Sequence, residues 1–407
     1  MFDSAKEVLK IFNDAGFEAY MVGGFVRDHL LGLESHDIDI TTNALPEVVK
    51  TLFKNHFCQS EKFKTVTVRH NGFEFEVTTY RYDKSYSDHR HPKTVVASRL
   101  IEDVKRRDFT INSLCMDKDE KVIDLVGGIS DLNNKVIRAV GNADKRFDED
   151  ALRMFRAFRF STRLGFKIED KTYRAIKKNS SLIKLLSKER VRSELEGILQ
   201  SDHLAEGIIP MVKSDIFKDY RDTEKAFLML ENNYRKLDIV LFMALSSIIK
   251  GEISEEIMIS KKERDRIKDI MRFAGLLRNR QLSTISFFEE DPKCAYDARL
   301  LLEILYEKPY KEEEIDEIYS SLPYKNHKQI NINGNDILPL LPVGSKDVGK
   351  YLPLAYLEVI LGRCPNNRED ILKRVKEEIE KDLAHQKRTM KKKWKIDSMP
   401  ILIHLMR

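Results

Sequence analysis

The composition of this 407-residue chain excludes several classes of protein. The chain is too long for one ordinary core, and its 42% hydrophobic and 34% charged residues are typical of a helix-rich globular protein with two or more domains. No apolar run approaches the ~20 residues of a membrane span, and no signal-peptide pattern is present. We therefore expect a cytoplasmic protein with no membrane segment.

The four cysteines argue against a disulfide framework or a zinc site. Cys58, Cys115, Cys294 and Cys364 are far apart and show no Cys-x-x-Cys spacing. Such cysteines are typical of reduced, mostly buried thiols.

The net charge of +5 is concentrated at the carboxyl end. Residues 381–407 contain eight Lys or Arg and two Asp, so the rest of the chain is close to neutral. A uniformly basic nucleic-acid binder is excluded, and RNA would be bound through local patches and this tail. A solvated, disordered tail would have the same composition.

The first diagnostic stretch is Gly23 to Ile40. Helical spacing of apolar residues predicts a first helix over Ser4–Ala15, and a short strand over Glu18–Val22 then leads into the Gly23-Gly24 turn. A helix is expected over Phe25–Leu31, with its first amides directed at a phosphate. A glycine turn that permits close approach, followed by an arginine, suits a triphosphate, so Gly24 and Arg27 are candidate nucleotide-binding residues.

Alternation of polar and apolar residues predicts a strand over His36–Thr41. Residues i and i+2 of a strand share a face, so Asp37 and Asp39 would project together and repel one another. A divalent cation neutralises such a pair, and Mg²⁺ is the expected cofactor, with both aspartates as catalytic metal ligands. An isolated Asp-x-Asp pair is also common on solvated strand edges.

The sequence GGFVRD…HDIDITTNALPEVV contains both the glycine turn and the aspartate pair, and it resembles the DNA polymerase β superfamily of nucleotidyltransferases. Within it, the class II branch is the most similar, which contains tRNA CCA-adding enzymes and bacterial poly(A) polymerases. The resemblance implies an α+β protein with a small nucleotidyltransferase head of sheet and helix, followed by an all-α neck, body and tail.

The next elements extend the predicted head. A helix is expected from Leu45-Pro46 to about Phe53, and two alternating segments, Thr65–Arg69 and Phe73–Tyr80, predict a hairpin around Asn71-Gly72. On its second strand Glu76 is a candidate third catalytic carboxylate. A glutamate on the outer face of a surface strand remains the alternative.

Residues Arg81–Glu102 are too irregular for one regular element and are predicted to form a mobile loop. The resemblance implies that this loop is needed to add the final adenosine and is shortened in enzymes that add only the two cytidines. With 24 residues between Arg81 and Arg106, the loop is full length, which argues against an enzyme that adds only CC.

Arg106-Arg107-Asp108 offers two guanidinium forks and a hydroxyl acceptor, which suits a triphosphate and a ribose. The segment matches the RRDFTIN motif of the family, implicated in ribose recognition. Arg107 is therefore a candidate nucleotide-binding residue.

The second diagnostic stretch is Phe147–Phe160, which is predicted to be one helix because Ala, Leu, Met and Arg dominate it. Asp150 and Arg153, at i and i+3, are expected to form an ion pair on one face. EDALRMFRAFRF matches the nucleobase-selecting motif of the family, which implies that this pair selects C or A over G and U. Arg156 and Arg159 could reach phosphates or the RNA end.

From Leu204 onward the pattern is amphipathic helix after helix, and no HD-type metal-binding pair is found. The Asn333-Gly334 region resembles the tail domain of the family, which holds the tRNA elbow. The predicted domains are a head over 1–138, a nucleobase-selecting neck over 139–203, a tRNA-binding body and tail over 204–382, and a basic extension over 383–407. Example helices are expected over Leu237–Ile249, Lys261–Leu277, Ala298–Glu307 and Arg368–Ala384.

The sequence therefore predicts a template-independent tRNA nucleotidyltransferase that completes the 3′ CCA end from CTP and ATP. Its partners would be tRNA and the two nucleotides, and no protein partner is predicted. Within the same enzyme class the alternatives are an A-adding enzyme and a poly(A) polymerase, which shares nearly all of these motifs. A catalytically inactive tRNA-binding protein is the alternative from another class.

Overall fold

The computed structural model describes residues 1–35, 37–60, 65–83, 95–97, 99–232, 235–305, 310–342 and 347–385. The chain divides into two compact units, Met1–Lys268 and Asp269–Arg407. Strands and helices occupy the first unit, and the described part of the second is helical. The fold is α+β, as predicted.

One mixed sheet forms the centre of the amino-terminal region. Its strands run in the order β3-β4-β5-β2-β1-β8-β9, and two short ladders, β6 with β7 and β10 with β11, lie outside it. The strands are β1 (Ala19–Val22), β2 (Asp39–Thr42), β3 (His56–Ser60), β4 (Thr65–His70), β5 (Phe73–Thr79), β6 (Arg81–Asp83), β7 (Val95–Ala97), β8 (Cys115–Met116), β9 (Val122–Ile123), β10 (Val136–Ile137) and β11 (Lys167–Ile168).

Helices pack on this sheet, and after β11 the described part of the chain contains no further strand. The helices of the first unit are α1 (Phe2–Asp14), α2 (Gly24–Leu30), α3 (Pro46–Leu52), α4 (Leu100–Lys105), α5 (Gly128–Asn133), α6 (Ala143–Glu149), α7 (Leu152–Leu164), α8 (Asp170–Asn179), α9 (Lys188–Leu199), α10 (Leu204–Lys213), α11 (Arg221–Asn232) and α12 (Ile239–Lys250).

The boundary between the two units falls within α13 (Lys261–Arg278). The second unit continues with α14 (Lys293–Ile304), α15 (Glu312–Ser320), α16 (Gly334–Ile337), α17 (Val348–Ile360) and a last helix over residues 368–385. Within the described ranges, no helix has the length and apolar character needed to cross a membrane.

The hydrophobic pattern explains why these elements form. In α1, Val8, Leu9 and Phe12 are fully buried, and they recur at helical spacing, so one face of the helix packs on the sheet. The hairpin turn has Asn71 at φ 49° and Gly72 at φ 81°, the left-handed pair that matches the twist of two antiparallel strands. The predicted hairpin is confirmed by the register of β4 with β5.

Three boundaries differ from the sequence prediction. The strand predicted from His36 begins at Asp39, and His36 itself lies outside the described residues. The segment Arg81–Glu102 contains the β6–β7 ladder and the start of α4, whereas residues 84–94 and 98 of the predicted loop lie outside the described residues. Helix α14 begins at Lys293, five residues before the predicted start at Ala298, because Ala295 also belongs to its buried face.

The thiols are mostly buried, as expected. Cys115, Cys294 and Cys364 are buried and form no disulfide. The side chain of Cys58 and most of the basic extension, residues 386–407, lie outside the described residues.

Candidate active site

A cleft of about 620 Å³ in the first unit brings most of the predicted site residues together. It is lined by the turn before α2 and α2 itself, the start of β2, residues 106–108 after α4, one face of α7 along its length and one residue of α9. Among the described residues, eight arginines and six carboxylates line it, so its chemistry is ionic. They are Arg27, Arg106, Arg107, Arg153, Arg156, Arg159, Arg163 and Arg190, with Asp28, Glu34, Asp37, Asp39, Asp108 and Asp150.

The sheet places carboxylates at one edge of this cleft. Strands β2 and β5 are parallel neighbours, and their register sets Asp39 directly beside Glu76. Asp37 precedes the strand, and the buried Ile38 lies between the two aspartates. The strand begins at Asp39, so Asp37 lies just before it, and both aspartate side chains are exposed and line the cleft.

Electrostatics at this edge favour a cation. Loss of hydration raises the pKa of the Asp39 carboxyl above its ordinary value, and the charges of Glu76 and Asp37 raise it further against the opposing effect of Arg107. No set of three or more His, Cys, Asp or Glu side chains in the described part forms a ready metal site. Two aspartates that line one cleft nevertheless fit Mg²⁺, which retains waters and is commonly bound by one or two carboxylates plus substrate phosphates.

The glycine turn brings backbone close to charged groups. Gly23 has φ 81°, and a Cβ there would lie 3.7 Å from Nη1 of Arg107 and 3.9 Å from Oδ2 of Asp39. Gly24 follows as the first residue of α2 and lines the cleft. The turn therefore keeps the space between the arginine and the aspartate open.

Arg27 forms part of the cleft floor and is only 2% exposed. Its Nε and Nη2 lie 2.8 and 2.7 Å from Oδ1 of Asp28, and its Nη1 donates to Asn112. Burial lowers the pKa of this guanidinium, and Asp28 opposes that effect. Several N–H groups of this guanidinium already donate to protein acceptors, which limits direct contact with a phosphate. The nucleotide-binding role of Arg27 therefore stays a prediction.

A buried carboxylate that the sequence analysis missed holds both arginines of the Arg106-Arg107 pair. Asp103 is fully buried and accepts from Arg106 at 2.6 Å and from Arg107 at 3.1 Å. Burial alone would raise the pKa of the Asp103 carboxyl, yet the two guanidinium groups hold it below its ordinary value. The signal was available, because Asp103 lies three and four residues before the arginines at the end of a helix.

The predicted template helix is broken in two, and this overturns one expectation. Asp150 lies between α6 and α7 with φ −150° and ψ 102°, outside the helical region. Its Oδ1 accepts the backbone N–H of Leu152, the first residue of α7, at 3.1 Å. Because Asp150 lies between two helices and not inside one, the i, i+3 geometry expected for it and Arg153 does not apply.

The ion pairs around the break are therefore different from the predicted pair. Asp150 is held by Arg190 of α9 at 2.9 Å, and Arg153 is held by Glu149 at 3.1 Å. Arg153 also donates to the carbonyl of Arg106 at 2.9 Å. Asp150 and Arg153 still line the same cleft, so it contains both an acceptor and a donor.

Helix α7 carries a row of arginines along the cleft. Arg156 lies 2.7 Å from Asp108, Arg159 2.6 Å from Glu194, and Arg163 3.1 Å from Asp28. Arg27, Arg156 and Arg159 also surround one ring, that of Phe160, at 4.8–5.2 Å from its centroid. Arg163 follows Arg159 by four residues, as Arg159 follows Arg156 by three, so helical spacing could have placed it in this row. The carboxylates that pair with the row come from distant parts of the chain, and sequence spacing could not have identified them.

Sequence models of known families match three stretches of the chain. The model described as Poly A polymerase head domain matches residues 19–138. The model described as "Probable RNA and SrmB-binding site of polymerase A" matches residues 165–220, and the model of tRNA nucleotidyltransferase domain 2 matches residues 239–375.

Curated relatives and solved structures are similar over nearly the whole length. The chain is 34% identical to the CCA-adding enzyme of Limosilactobacillus reuteri (strain DSM 20016), over 93% of this chain and 97% of the relative. It is 32% identical to that of Staphylococcus aureus (strain Mu3), over 92% and 97%. The crystal structure of the Bacillus stearothermophilus CCA-adding enzyme in complex with CTP matches with a TM-score of 0.79 and 30% identity, over 95% of this chain and 99% of that one.

Proposed function

This chain belongs to the family of CCA-adding enzymes, and from that premise we propose that it completes the 3′ CCA end of tRNA, using CTP and ATP without a nucleic-acid template. One observation carries the proposal: the lining of one cleft contains an exposed carboxylate edge, a row of arginines, the acceptor Asp150 and the donor Arg153. Such a cleft can hold a triphosphate and present a hydrogen-bonding edge to a base. It thereby provides the two things that templateless nucleotide addition requires.

Asp37 and Asp39 are the proposed Mg²⁺ ligands, and Glu76 is the proposed third catalytic carboxylate. When bound, Mg²⁺ lowers the pKa of the attacking RNA 3′-hydroxyl and stabilises the leaving pyrophosphate. The protein side of this chemistry is supported by position. Asp39 and Glu76 are fixed side by side on adjacent strands, which supplies concentrated negative charge at the cleft edge.

Gly24, Arg27 and Arg107 are proposed to bind the triphosphate and ribose, and Arg156 and Arg159 to reach phosphates or the RNA end. Asp103 acts indirectly, since its carboxylate fixes the guanidinium of Arg107 in the cleft wall. A guanidinium offers paired donors to phosphate oxygens, and a fixed one loses little side-chain entropy on binding.

Asp150 and Arg153 are proposed to read the base. Cytosine and adenine both present an amino donor beside a ring-nitrogen acceptor on the Watson–Crick edge. A carboxylate acceptor beside a guanidinium donor complements that pattern. Uracil and guanine present a carbonyl beside a ring N–H, so each would place acceptor against acceptor and donor against donor.

The test supplies tRNA transcripts that end before CCA, after C or after CC, with Mg²⁺ and labelled CTP, ATP or both. Addition of two cytidines and one adenosine, followed by a stop, is the expected result. Addition of A to the CC end alone would instead make the protein an A-adding enzyme. Long A tails on any RNA would support a poly(A) polymerase, the function named in the head-domain model.

An Asp39→Ala variant separates the enzyme from an inactive tRNA-binding protein. We expect tRNA binding to be unchanged, because a carboxylate at the cleft edge does not attract RNA phosphates, and nucleotide addition to be lost. Equal nucleotide addition by the variant and the wild type would contradict the catalytic role of Asp39.

The remaining assignments follow from the same proposal. We propose a cytoplasmic protein whose residues 1–138 perform the transfer, residues 139–203 select the nucleobase, and residues 204–382 bind tRNA. Residues 383–407 are proposed as a basic extension that adds non-specific attraction for RNA.

A further inference from the structure

The ladder between β4 and β5 carries three consecutive side-chain pairs on the face that holds Glu76. The register pairs Arg69 with Glu74, Thr67 with Glu76, and Thr65 with Thr78. Residues two apart on a strand project to the same face, so these three pairs form one row. The same row reaches Asp39, which pairs with Glu76 on the adjoining strand.

The outer two pairs of this row are hydrogen-bonded and the middle pair is not. Arg69 Nε lies 2.7 Å from Glu74 Oε1, and the hydroxyls of Thr65 and Thr78 lie 3.1 Å apart. The Thr67 hydroxyl is buried, with its residue 1% exposed, and it has no hydrogen-bond partner among the residues that the structure describes.

A buried hydroxyl without a partner is unfavourable and is rare in folded proteins. The carboxylate directly across the ladder is the natural acceptor, because Cβ atoms of opposite residues in an antiparallel pair lie only ~4.5–5.5 Å apart. Glu76 is exposed, so rotation about its side-chain bonds can bring its carboxylate to the hydroxyl.

We propose that Thr67 is a positioning residue for Glu76: its hydroxyl donates to the Glu76 carboxylate when tRNA and nucleotide occupy the cleft, and fixes that carboxylate in one orientation. The inference rests on the proposed nucleotidyl transfer and adds a residue that acts on it through Glu76. Thr67 itself is buried and touches no substrate. Its contribution is to reduce the number of orientations that the third carboxylate can adopt.

The test compares the full-length wild type with Thr67→Val, which keeps the shape and removes the hydroxyl, and with Thr67→Ser, which restores it. The readouts are the rate of cytidine addition at saturating CTP, the KM for CTP, and the melting temperature. We expect Thr67→Val to lower kcat about 10–150-fold, the effect of one lost hydrogen bond to a charged group, with KM within about twofold. The melting temperature should stay equal or rise, because an unpaired buried hydroxyl has been removed. Thr67→Ser should recover most of the rate.

Two further variants exclude a merely structural role. Thr79 is equally buried in β5 but donates to the carbonyl of Ala44 at 2.7 Å, so Thr79→Val should lower the melting temperature and leave kcat unchanged. In a Glu76→Gln background, Thr67→Val should change the rate by less than about twofold, because the two residues act as one unit.

Three results would overturn the inference while leaving the proposed function intact. They are an unchanged kcat in Thr67→Val, a rate loss of equal size in the Glu76→Gln background, and a rate loss that follows the melting temperature and is not rescued by serine. A wild-type protein that adds no nucleotide would overturn the proposed function and this inference together.

Discussion

Arg190 offers the sharpest test of how the cleft reads a base. Its Nη2 lies 2.9 and 3.1 Å from the two oxygens of Asp150, and both side chains are about one-fifth exposed. A hydrogen bond to a charged group contributes about 1.5–3 kcal/mol, and partial exposure reduces this to about 1–2 kcal/mol. At 1.36 kcal/mol per tenfold, Arg190→Met should lower kcat/KM for CTP and ATP about 5–30-fold.

The assay measures kcat/KM for CTP, ATP, UTP and GTP on tRNA ending before CCA and after CC. We expect the values for UTP and GTP to change little, so that discrimination falls together with the cognate rates. Arg192→Met is the matched control: Arg192 lies on the same helix and holds Glu263 at 2.7 Å with similar exposure, but it does not line the cleft. It should lower stability without changing selectivity. An equal loss for all four nucleotides in Arg190→Met would refute the reasoning and indicate a contact with the triphosphate.

Three further predictions follow from packing and charge. A Cβ at Gly128 would lie 2.3 Å from a backbone oxygen, so Gly128→Ala should destabilise the protein by about 2–4 kcal/mol in denaturant unfolding. Gly275→Ala, in a helix with open space around it, should be neutral or stabilising by up to about 1 kcal/mol; the reverse order would contradict the geometry. Burial raises the pKa of the Cys115 thiol to about 12, so mass spectrometry should find it alkylated only after unfolding, and rapid native labelling would contradict its burial. Hydrogen bonds from Arg192 lower the pKa of Glu263 to about 2. This stabilisation is present above the unfolded value near 4.5 and is lost as pH falls towards 2, so Glu263→Gln should flatten the acid side of a melting-temperature profile.

Local chemistry made the head predictable from the sequence. The hairpin at Asn71-Gly72 and the early proline of α3 are set by residues within a few positions of one another, and the structure confirms both. The β2–β5 neighbourhood that joins Asp39 to Glu76 depends on pairing between strands far apart in sequence. Sequence alternation alone could nominate Glu76 and could not establish its neighbour.

The ion pairs of the cleft were harder to predict, because several carboxylates and backbone groups compete for each charged side chain. Asp150 and Arg153 have the i, i+3 spacing that places two side chains on one face of a helix. The rule holds only inside a continuous helix, and Asp150 lies between two helices, where it accepts the backbone N–H of Leu152. Arg190 then takes its carboxylate from 40 positions away, a pairing that no local pattern could reveal.

The paired arginines of the cleft have a consequence for how anions enter it. Every arginine in the described lining has a carboxylate within salt-bridge distance, some in the lining itself and others, such as Asp103 and Glu194, behind it. An incoming polyphosphate therefore exchanges with fixed carboxylates instead of releasing mobile salt ions. Nucleotide affinity should consequently depend only weakly on ionic strength. Polyanions whose charges do not match the positions of the guanidinium groups should bind to the cleft weakly. The cleft thus selects by shape among ligands of equal charge.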